Sequence, residues 1–194
     1  DFSSYPHKVI IDEQHEVEAK AVIIATGASA KWLGLHSEER LNGRGVSACA
    51  VCDGFFFRGQ EVAVVGGGDT AAEEASYLSK LCKKVYMLVR RDEMRASAIM
   101  QQRVENAENI EMLWNTETEE ILGEKAVEGV RFKNNISGKT SELAVTGFFV
   151  AIGHKRNTDI FKGWLDMDDV GYLKVKPGTS KTNIPGVFAS GDAA

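Results

Sequence analysis

Two cysteines separated by two residues, with an aspartate directly after the second, form the most reactive segment of this sequence. Cys49 and Cys52 have the C-x-x-C spacing, and Asp53 follows them. This spacing allows a disulfide to close and reopen, and it often favours the thiolate form of one cysteine. A neighbouring carboxyl group could give or take the proton that accompanies thiol–disulfide exchange. We interpret Cys49 and Cys52 as a redox pair and Asp53 as its candidate acid or base, with a simple turn residue before Gly54 as the alternative for Asp53.

Other interpretations of the cysteine pair need partners that the sequence does not supply nearby. A structural zinc site would require two further ligands. Cys82 falls on the apolar face of a predicted helix, where we expect a core residue, and His154 is distant in sequence. We therefore predict no metal, and two inert buried cysteines are the remaining alternative to a redox pair.

A glycine-rich segment follows the cysteine pair. Residues 66–71 match the pattern G-x-G-x-x-G/A and lie between a predicted strand and a predicted helix, the setting in which this pattern binds dinucleotide phosphates. Gly66 would permit a tight turn, Gly68 would let a pyrophosphate approach the backbone, and Ala71 would let the helix pack against the strand. The predicted phosphate-binding residues are Gly66, Gly67, Gly68, Asp69 and Thr70. The alternative is an ordinary glycine turn.

The end of the next predicted strand carries arginines where a dinucleotide site selects its cofactor. NAD sites usually place Asp or Glu there, roughly 20 residues beyond the glycines, to bind the ribose 2′-hydroxyl. This chain has Arg90 and Arg91 instead, with Arg95 one helical turn later. Guanidinium groups pair well with phosphate oxygens. The sequence therefore predicts NADPH rather than NADH, with a solvated basic helix start as the alternative.

Composition excludes several classes of function. The 194-residue chain has a net charge of −5, 43% hydrophobic residues and 26% charged residues, so a nucleic-acid surface is not favoured. Its apolar runs have the length of strands and are too short to span a membrane. Three cysteines are too few for a secreted disulfide framework, so we expect a reducing compartment, the cytoplasm.

Hydrophobic periodicity predicts alternating strands and helices. Residues 61–114 are predicted to form β-α-β-α-β, and residues 116–145 an antiparallel meander. The predicted strands are 9–12, 17–25, 61–66, 85–89, 110–114, 116–122, 127–133, 142–145, 148–152, 171–175 and 186–189; the predicted helices are 69–83 and 92–106. Residues 28–48 are predicted to be mostly loop. The pattern indicates half of a doubly wound parallel sheet.

Three consecutive aromatic residues follow the redox pair. Phe55, Phe56 and Phe57 cannot all face one side of a strand. One or two of them are expected to form an exposed apolar surface, which is typical of protein–protein contacts, or else to be buried under a loop. In contrast, His7, His15 and His36 have no pattern around them and are expected at solvated loop positions.

Together these motifs resemble the low-molecular-weight thioredoxin reductases, flavoproteins that carry electrons from NADPH through FAD and a disulfide to thioredoxin. The resemblance rests on segment 45–56 with its two cysteines, then the glycine loop, then the arginine pair with Arg95. Residues 23–28 resemble the segment that joins the two domains of these proteins, and residues 182–192 resemble their second FAD motif. One departure is Val89, where many members have His before the arginines.

The resemblance implies a role for each matching residue. Cys52 would be the thiol nearest the flavin, Cys49 the thiol that attacks the partner disulfide, and Asp53 the acid that protonates the departing thiolate. The implied cofactor contacts beyond the glycine loop and the arginines are Thr26, Gly27, Gly191 and Asp192. The implied thioredoxin-binding surface comprises Arg44, Phe55 and Phe56. Family members are homodimers, so the full-length protein is expected to be one.

The resemblance also implies a division of the chain. Residues 1–30 and 156–194 would be parts of an FAD-binding domain, and residues 31–155 a complete NADPH-binding and redox-dithiol domain. The expected fold is α/β, an FAD/NAD(P)-binding three-layer fold with a Rossmann-like parallel sheet and an antiparallel β-meander. Because the family's opening βαβ unit does not precede Asp1 and no helix follows Asp192, we expect a fragment that holds FAD weakly and is inactive alone.

Three other functions compete with this interpretation. The reductase component of an alkyl-hydroperoxide system shares the same core but carries an additional dithiol domain. A non-catalytic NADPH-binding module, or a sensor that exposes its dithiol, would also explain the motifs. A Rossmann dehydrogenase acting on a small molecule would leave the cysteine pair unused, and no Ser-Tyr-Lys or His-Asp set supports it.

Overall fold

The computed structural model describes all 194 residues, which divide into two compact units. One unit comprises residues 1–29 and 154–194, and the other comprises residues 30–153. These bounds lie within two residues of those expected for the FAD-binding and NADPH-binding parts. The assignment of each unit to a cofactor stays a prediction.

The chain forms fourteen short strands and four helices. The strands are β1 (His7–Ile11), β2 (His15–Ala19), β3 (Val22–Ile24), β4 (Ala28–Ala30), β5 (Val46–Ser47), β6 (Glu61–Val65), β7 (Lys84–Val89), β8 (Ile110–Trp114), β9 (Thr116–Leu122), β10 (Gly129–Asn134), β11 (Thr140–Leu143), β12 (Gly147–Val150), β13 (His154–Arg156) and β14 (Val187–Ala189). The helices are α1 (His36–Leu41), α2 (Ala50–Asp53), α3 (Asp69–Leu78) and α4 (Ala98–Glu105). None of the helices combines the length and the apolar character needed to cross a bilayer.

A five-stranded parallel sheet forms the centre of residues 30–153. Its strand order is β5-β12-β6-β7-β8, and every neighbouring pair runs parallel. Helix α3 connects β6 to β7, and α4 connects β7 to β8, which confirms the predicted β-α-β-α-β unit. Because all five strands are parallel, the segments that follow their carboxyl ends share one edge of the sheet.

The two faces of this sheet are covered by different layers. Successive side chains of a strand point to opposite faces, so Val64 packs with the helices while Val65 packs with the meander β9–β10–β11. The same alternation places Phe149 on the helix side and Phe148 on the meander side, both fully buried. The three layers confirm the predicted α/β fold with a parallel sheet and an antiparallel meander.

The other unit has a small core around two parallel strands. Strands β3 and β14 pair in parallel, and β1 and β2 form an antiparallel hairpin. Ile24, Leu165 and Leu173 are among its buried residues. His7, which was expected in a solvated loop, is buried in β1 and its Nε2 lies 3.0 Å from the carbonyl oxygen of Pro185. That prediction was wrong because no local pattern reveals a contact with a residue so distant in sequence.

Several predicted elements have different bounds in the structure. The predicted strand 17–25 is two strands, because the chain leaves the hairpin after β2 and the N–H of Val22 donates to the carbonyl of Gly186 at 2.9 Å. The predicted helix 69–83 ends at Leu78, where turn hydrogen bonds take over. Residues 171–175 form only an isolated bridge, Met167 with Leu173.

Two further predictions failed around helices. The segment 28–48, predicted to be mostly loop, contains β4, α1 and β5. The side chain of Glu38 folds back at the start of α1 and accepts from the N–H groups of Leu33 and Gly34, both at 2.9 Å. The predicted helix 92–106 begins only at Ala98, because hydrogen bonds to Gly67 and Asp69 hold the preceding turn in another conformation.

We expect Phe149→Ala to destabilise residues 30–153 by about 3–5 kcal/mol, since it removes a buried ring and leaves a cavity. Phe149 is fully buried, and its ring packs edge-on against Phe57 with centroids 5.4 Å apart. The measurement is hydrogen exchange at the amides of β6, which reports the opening free energy of this unit. The matched control is Phe56→Ala, whose ring is 73% exposed; an equal loss in both variants would contradict the expectation.

Candidate active site

The redox pair is a disulfide in the structure. Cys49 and Cys52 are bonded, with Cα atoms 5.3 Å apart. Cys49 precedes α2, and its sulfur accepts a hydrogen bond from the backbone N–H of Cys52 at 3.2 Å. After reduction, a donor at this position would favour a thiolate on Cys49. Cys49 is half-buried and Cys52 is exposed, so solvent exposure by itself does not identify Cys49 as the attacking cysteine. The hydrogen bond to the Cys49 sulfur does favour that role for Cys49.

A serine that the sequence interpretation did not single out connects Asp53 to the disulfide. Ser47, buried at the carboxyl end of β5, donates its hydroxyl to Oδ2 of Asp53 at 2.6 Å. The hydroxyl oxygen of Ser47 in turn accepts from the backbone N–H of Cys49 at 3.0 Å. A serine bonding to the N–H two residues ahead is a common local motif and could have been found from sequence. Its bond to Asp53 depends on the turn between β5 and α2.

The third cysteine has no part in this centre. Cys82 is buried in the helix-side core, as predicted, although it lies beyond the end of α3. Burial raises the pKa of its thiol to about 11, so it stays protonated near neutral pH. No group of three or more His, Cys, Asp or Glu side chains is placed to hold a metal ion.

The glycine loop lies at the same sheet edge, between β6 and α3. Gly66 has φ +144°, and a β-carbon there would stand 2.3 Å from the carbonyl oxygen of Ala151. A β-carbon on Gly67 would stand 2.9 Å from Val89. Gly68, in contrast, has nothing within 4 Å of that position. The first two glycines allow close packing of the loop, and the third leaves its backbone open to a ligand.

One cavity brings the predicted nucleotide-binding residues together. Its volume is about 790 Å³, and its lining includes the glycine loop, Asp69, Thr70, Arg90, Arg91 and Arg95. The three arginines are exposed, and no hydrogen bond or ion pair of the structure engages their guanidinium groups. Such a cationic cluster beside an open phosphate loop fits a dinucleotide that carries an extra phosphate.

Residues 90–97, here called the arginine turn, connect β7 to α4 and are hydrogen-bonded to the glycine loop. The N–H of Arg95 donates to the carbonyl oxygen of Gly67 at 2.6 Å. The carboxylate of Asp69 accepts from both the N–H and the hydroxyl of Ser97, each at 2.8 Å, and these bonds lower its pKa. These contacts hold residues before Ala98 out of helix α4. Asp69 therefore shapes the cavity wall, a role beyond its place in the glycine motif.

The remaining predicted cofactor residues lie in the other unit. Thr26 and Gly27 follow β3, and Gly191 and Asp192 follow β14. Since β3 and β14 are parallel neighbours, the structure brings both pairs to one sheet edge. Asp192 is exposed, and neither glycine has an atom within 4 Å of the position that a β-carbon would occupy. The space fits an approaching ligand group.

Exposed apolar side chains lie close to the disulfide along the chain. Phe55 and Phe56, on a short 3₁₀ helix after α2, are 65% and 73% exposed. Val51, which the sequence interpretation missed, lies between the two cysteines and is 70% exposed. An apolar residue next to two reactive cysteines could have indicated this part of the surface from sequence. Arg44 is exposed at the amino end of β5. Phe57 turns inward against Phe149.

A partly buried carboxyl group lies beneath the dithiol helix. Glu74 on α3 faces the backbone N–H of Ala50 in α2, and its Oε2 is buried without a hydrogen-bond partner. Burial raises its pKa from 4.5 to about 7, and the neighbouring Glu73 acts in the same direction. No local pattern indicates this burial, because it depends on the packing of α2 against α3.

We expect Glu74→Gln to stabilise the protein at high pH and to have little effect at low pH. In the folded protein Glu74 keeps its proton to a higher pH than in the unfolded chain. Its ionisation therefore lowers the free energy of unfolding as the pH rises from 4.5 to about 7, and this loss is complete above that range. Because the group is partly solvated, we expect about 1 kcal/mol at about pH 8.5 and close to zero at about pH 4. Urea unfolding at both pH values measures the difference.

The matched control is Glu73→Gln, because Glu73 is the exposed neighbour on the same helix. An equal gain in both variants at high pH would indicate a general charge effect and contradict the burial of Glu74.

Comparisons with known proteins agree with this arrangement. The family described as pyridine nucleotide-disulphide oxidoreductase matches residues 3–194. A thioredoxin reductase of Streptomyces clavuligerus is 50% identical over 186 residues, covering 95% of this chain and 58% of that protein. A thioredoxin reductase of Rickettsia conorii is 47% identical over 195 residues, covering 99% of this chain and 63% of that protein.

Solved structures give the same result. A thioredoxin reductase from Giardia duodenalis superposes with a TM-score of 0.85 at 46% identity, covering 100% of this chain and 64% of the other. A thioredoxin reductase from Lactococcus lactis gives a TM-score of 0.80 at 41% identity, covering 96% and 61%. The chain therefore spans about three fifths of the length of the relatives that it matches.

Proposed function

Because this chain belongs to the pyridine nucleotide-disulphide oxidoreductase family, we propose that its protein is an NADPH-dependent thioredoxin-disulfide reductase. The observation that carries the proposal is the Cys49–Cys52 disulfide on the same sheet edge as an open cationic cavity. The dithiol segment follows β5, the glycine loop follows β6 and the arginines follow β7. One rigid sheet thus supports both an electron-accepting disulfide and a candidate electron-donor site.

The cavity is assigned to NADPH. Backbone N–H groups at the start of α3 and the open face of Gly68 would hold the pyrophosphate. The free guanidinium groups of Arg90, Arg91 and Arg95 would bind the 2′-phosphate, which NADH lacks. Val89, at the position where many relatives have histidine, is buried against Gly67 and does not disturb this set.

FAD is assigned to the other unit. Thr26, Gly27, Gly191 and Asp192 would contact it, since they share the carboxyl edge of β3 and β14. When bound, a flavin accepts a hydride from NADPH and supplies two electrons for the reduction of a disulfide. The four residues would orient it, with the exposed Asp192 carboxylate available as a hydrogen-bond acceptor.

The reduced cysteine pair would then act on thioredoxin by thiol–disulfide exchange. The thiolate of Cys49 attacks one sulfur of the thioredoxin disulfide, which forms a mixed disulfide and releases a thiolate on the other sulfur. Asp53, held by Ser47, donates the proton that this thiolate gains. Cys52 next gives up its thiol proton and attacks the sulfur of Cys49. This restores the Cys49–Cys52 disulfide, breaks the bond to thioredoxin and releases the second thioredoxin sulfur, which takes up that proton. Thioredoxin leaves as a dithiol with two more electrons and two more protons.

The surface around the disulfide suits a protein substrate. Val51, Phe55 and Phe56 expose apolar groups beside Cys52, and exposed aromatic side chains commonly anchor protein interfaces. Arg44 would add a positive charge at the edge of this surface. A small-molecule substrate would not require such an apolar border.

We expect Arg90→Ala to weaken NADPH binding by about 10- to 100-fold, because it removes charge-assisted hydrogen bonds to the 2′-phosphate. Binding of NADH, which lacks that phosphate, should change little. Calorimetric titration of both nucleotides measures the two dissociation constants and hence the ratio of NADPH to NADH affinity. The control is Arg103→Ala, an exposed arginine of α4 outside the cavity lining; equal NADPH and NADH affinities in wild type would contradict the cofactor assignment.

We expect Cys52→Ser to attack thioredoxin and to stop at the mixed disulfide, because Cys49 remains and the resolving thiol is lost. The substrate is a thioredoxin with one active-site cysteine, activated as its thionitrobenzoate disulfide. Release of the coloured anion gives the rate, and non-reducing electrophoresis shows the adduct. Cys49→Ser should react much more slowly, and Cys82→Ser is the control because its thiol is buried. Similar rates for all three variants would contradict the proposed role of Cys49.

The alternatives receive less support. The relatives are thioredoxin reductases, so a peroxide-system component and a non-catalytic module are not favoured. Failure of Cys52→Ser to react with thioredoxin while NADPH still binds would favour the non-catalytic module.

A further inference from the structure

The arginine turn has a second attachment, to the hairpin between β10 and β11. The hairpin between β10 and β11 reaches back to the end of β7, and the Nδ2 group of Asn135 donates to the carbonyl oxygen of Arg90 at 2.7 Å. The backbone N–H of Asn135 donates to the carbonyl oxygen of Asn115, also at 2.7 Å, and the N–H of Asn115 donates to the carbonyl oxygen of Arg91 at 3.0 Å. Two consecutive arginine carbonyls are therefore held by the meander layer.

The hairpin is built to present Asn135 in this direction. The side-chain oxygen of Asn134 accepts from the N–H groups of Ile136 and Ser137, at 3.1 and 2.8 Å. The N–H of Gly138 donates to the carbonyl of Asn134 at 2.8 Å. These bonds fix the turn after β10, and Asn135 is the turn residue whose side chain reaches Arg90.

We propose that Asn135 is a positioning residue that sets the preference for a 2′-phosphorylated nucleotide by fixing the backbone from which Arg90 and Arg91 extend. The inference rests on the proposed NADPH site. The guanidinium groups are exposed and free of protein partners, so nothing holds their side chains. Their direction depends on the backbone of the turn, and hydrogen bonds to the Arg90 and Arg91 carbonyls limit its rotation. In a more mobile turn the guanidinium groups of Arg90 and Arg91 would no longer be pre-organised to bind the 2′-phosphate, while the glycine loop would be unchanged.

The test compares two ligands that differ only in the 2′-phosphate. Adenosine 2′,5′-bisphosphate and adenosine 5′-monophosphate are titrated calorimetrically into the 194-residue chain, as wild type, Asn135→Ala and Ile136→Ala. Ile136 is the adjacent turn residue, its side chain is 76% exposed, and it is the matched control. We expect Asn135→Ala to weaken binding of the bisphosphate about three- to tenfold and to leave the monophosphate unchanged, whereas Ile136→Ala changes neither.

Each other outcome overturns the inference in a recognisable way. Unchanged binding of both ligands would mean that the Asn135 bond does not position the arginines. An equal loss for both ligands, or the same loss in Ile136→Ala, would mean that the hairpin supports the fold and not the phosphate. A wild type that binds both ligands equally would overturn the proposed NADPH site and, with it, the role of Asn135.

Discussion

The carbonyl oxygen of Ala151 lies so close to Gly66 that a β-carbon at that position would stand only 2.3 Å away. This contact joins the loop after β6 to the segment after β12, the neighbouring strand of the parallel sheet. Any side chain at residue 66 would push the two apart, and the loop could no longer turn directly into α3. The open backbone of Gly68, the start of α3 and the arginine turn attached through Gly67 all depend on this close approach.

The parallel sheet also explains why two different chemistries share a single edge. In a parallel sheet the segments that follow the strands all begin at the same edge, the carboxyl edge. The disulfide segment follows β5, and the segments that line the nucleotide cavity follow β6 and β7. Helix α3 begins at the glycine loop and packs beneath α2 with Glu74 between them. The dithiol and the nucleotide cavity thus share a rigid support, although neither belongs to the other's lining.

The site is held by polar contacts between layers, and its functional side chains are left free. Ser47 holds Asp53, Asp69 holds Ser97, and Asn135 holds Arg90. In contrast, the three cavity arginines and Cys52 are exposed residues. Such a division is expected where a ligand must meet pre-oriented groups without first breaking protein contacts. Three side-chain oxygens in this region are buried without a hydrogen-bond partner: Oε2 of Glu74, Oγ of Ser76 and Oγ1 of Thr118.

The sequence alone determined the chemistry and the order of the main elements. The cysteine spacing, the glycine pattern and the arginine pair directly after β7 are local, since each depends on residues a few positions apart. The valine-rich run of β6 and the alanines of α3 likewise predicted their elements, because burial follows periodicity within one segment.

Only the tertiary structure decided which residues support these motifs. The burial of His7, the split between β2 and β3 and the late start of α4 all result from contacts with segments far along the chain, such as Gly186 and Gly67. The partners of Asp53, Asp69 and Arg90 arise in the same way. A hydrogen bond between distant segments forms only after the layers pack, so no local pattern records it. The sequence therefore determined which groups can react, and packing decided how they are held.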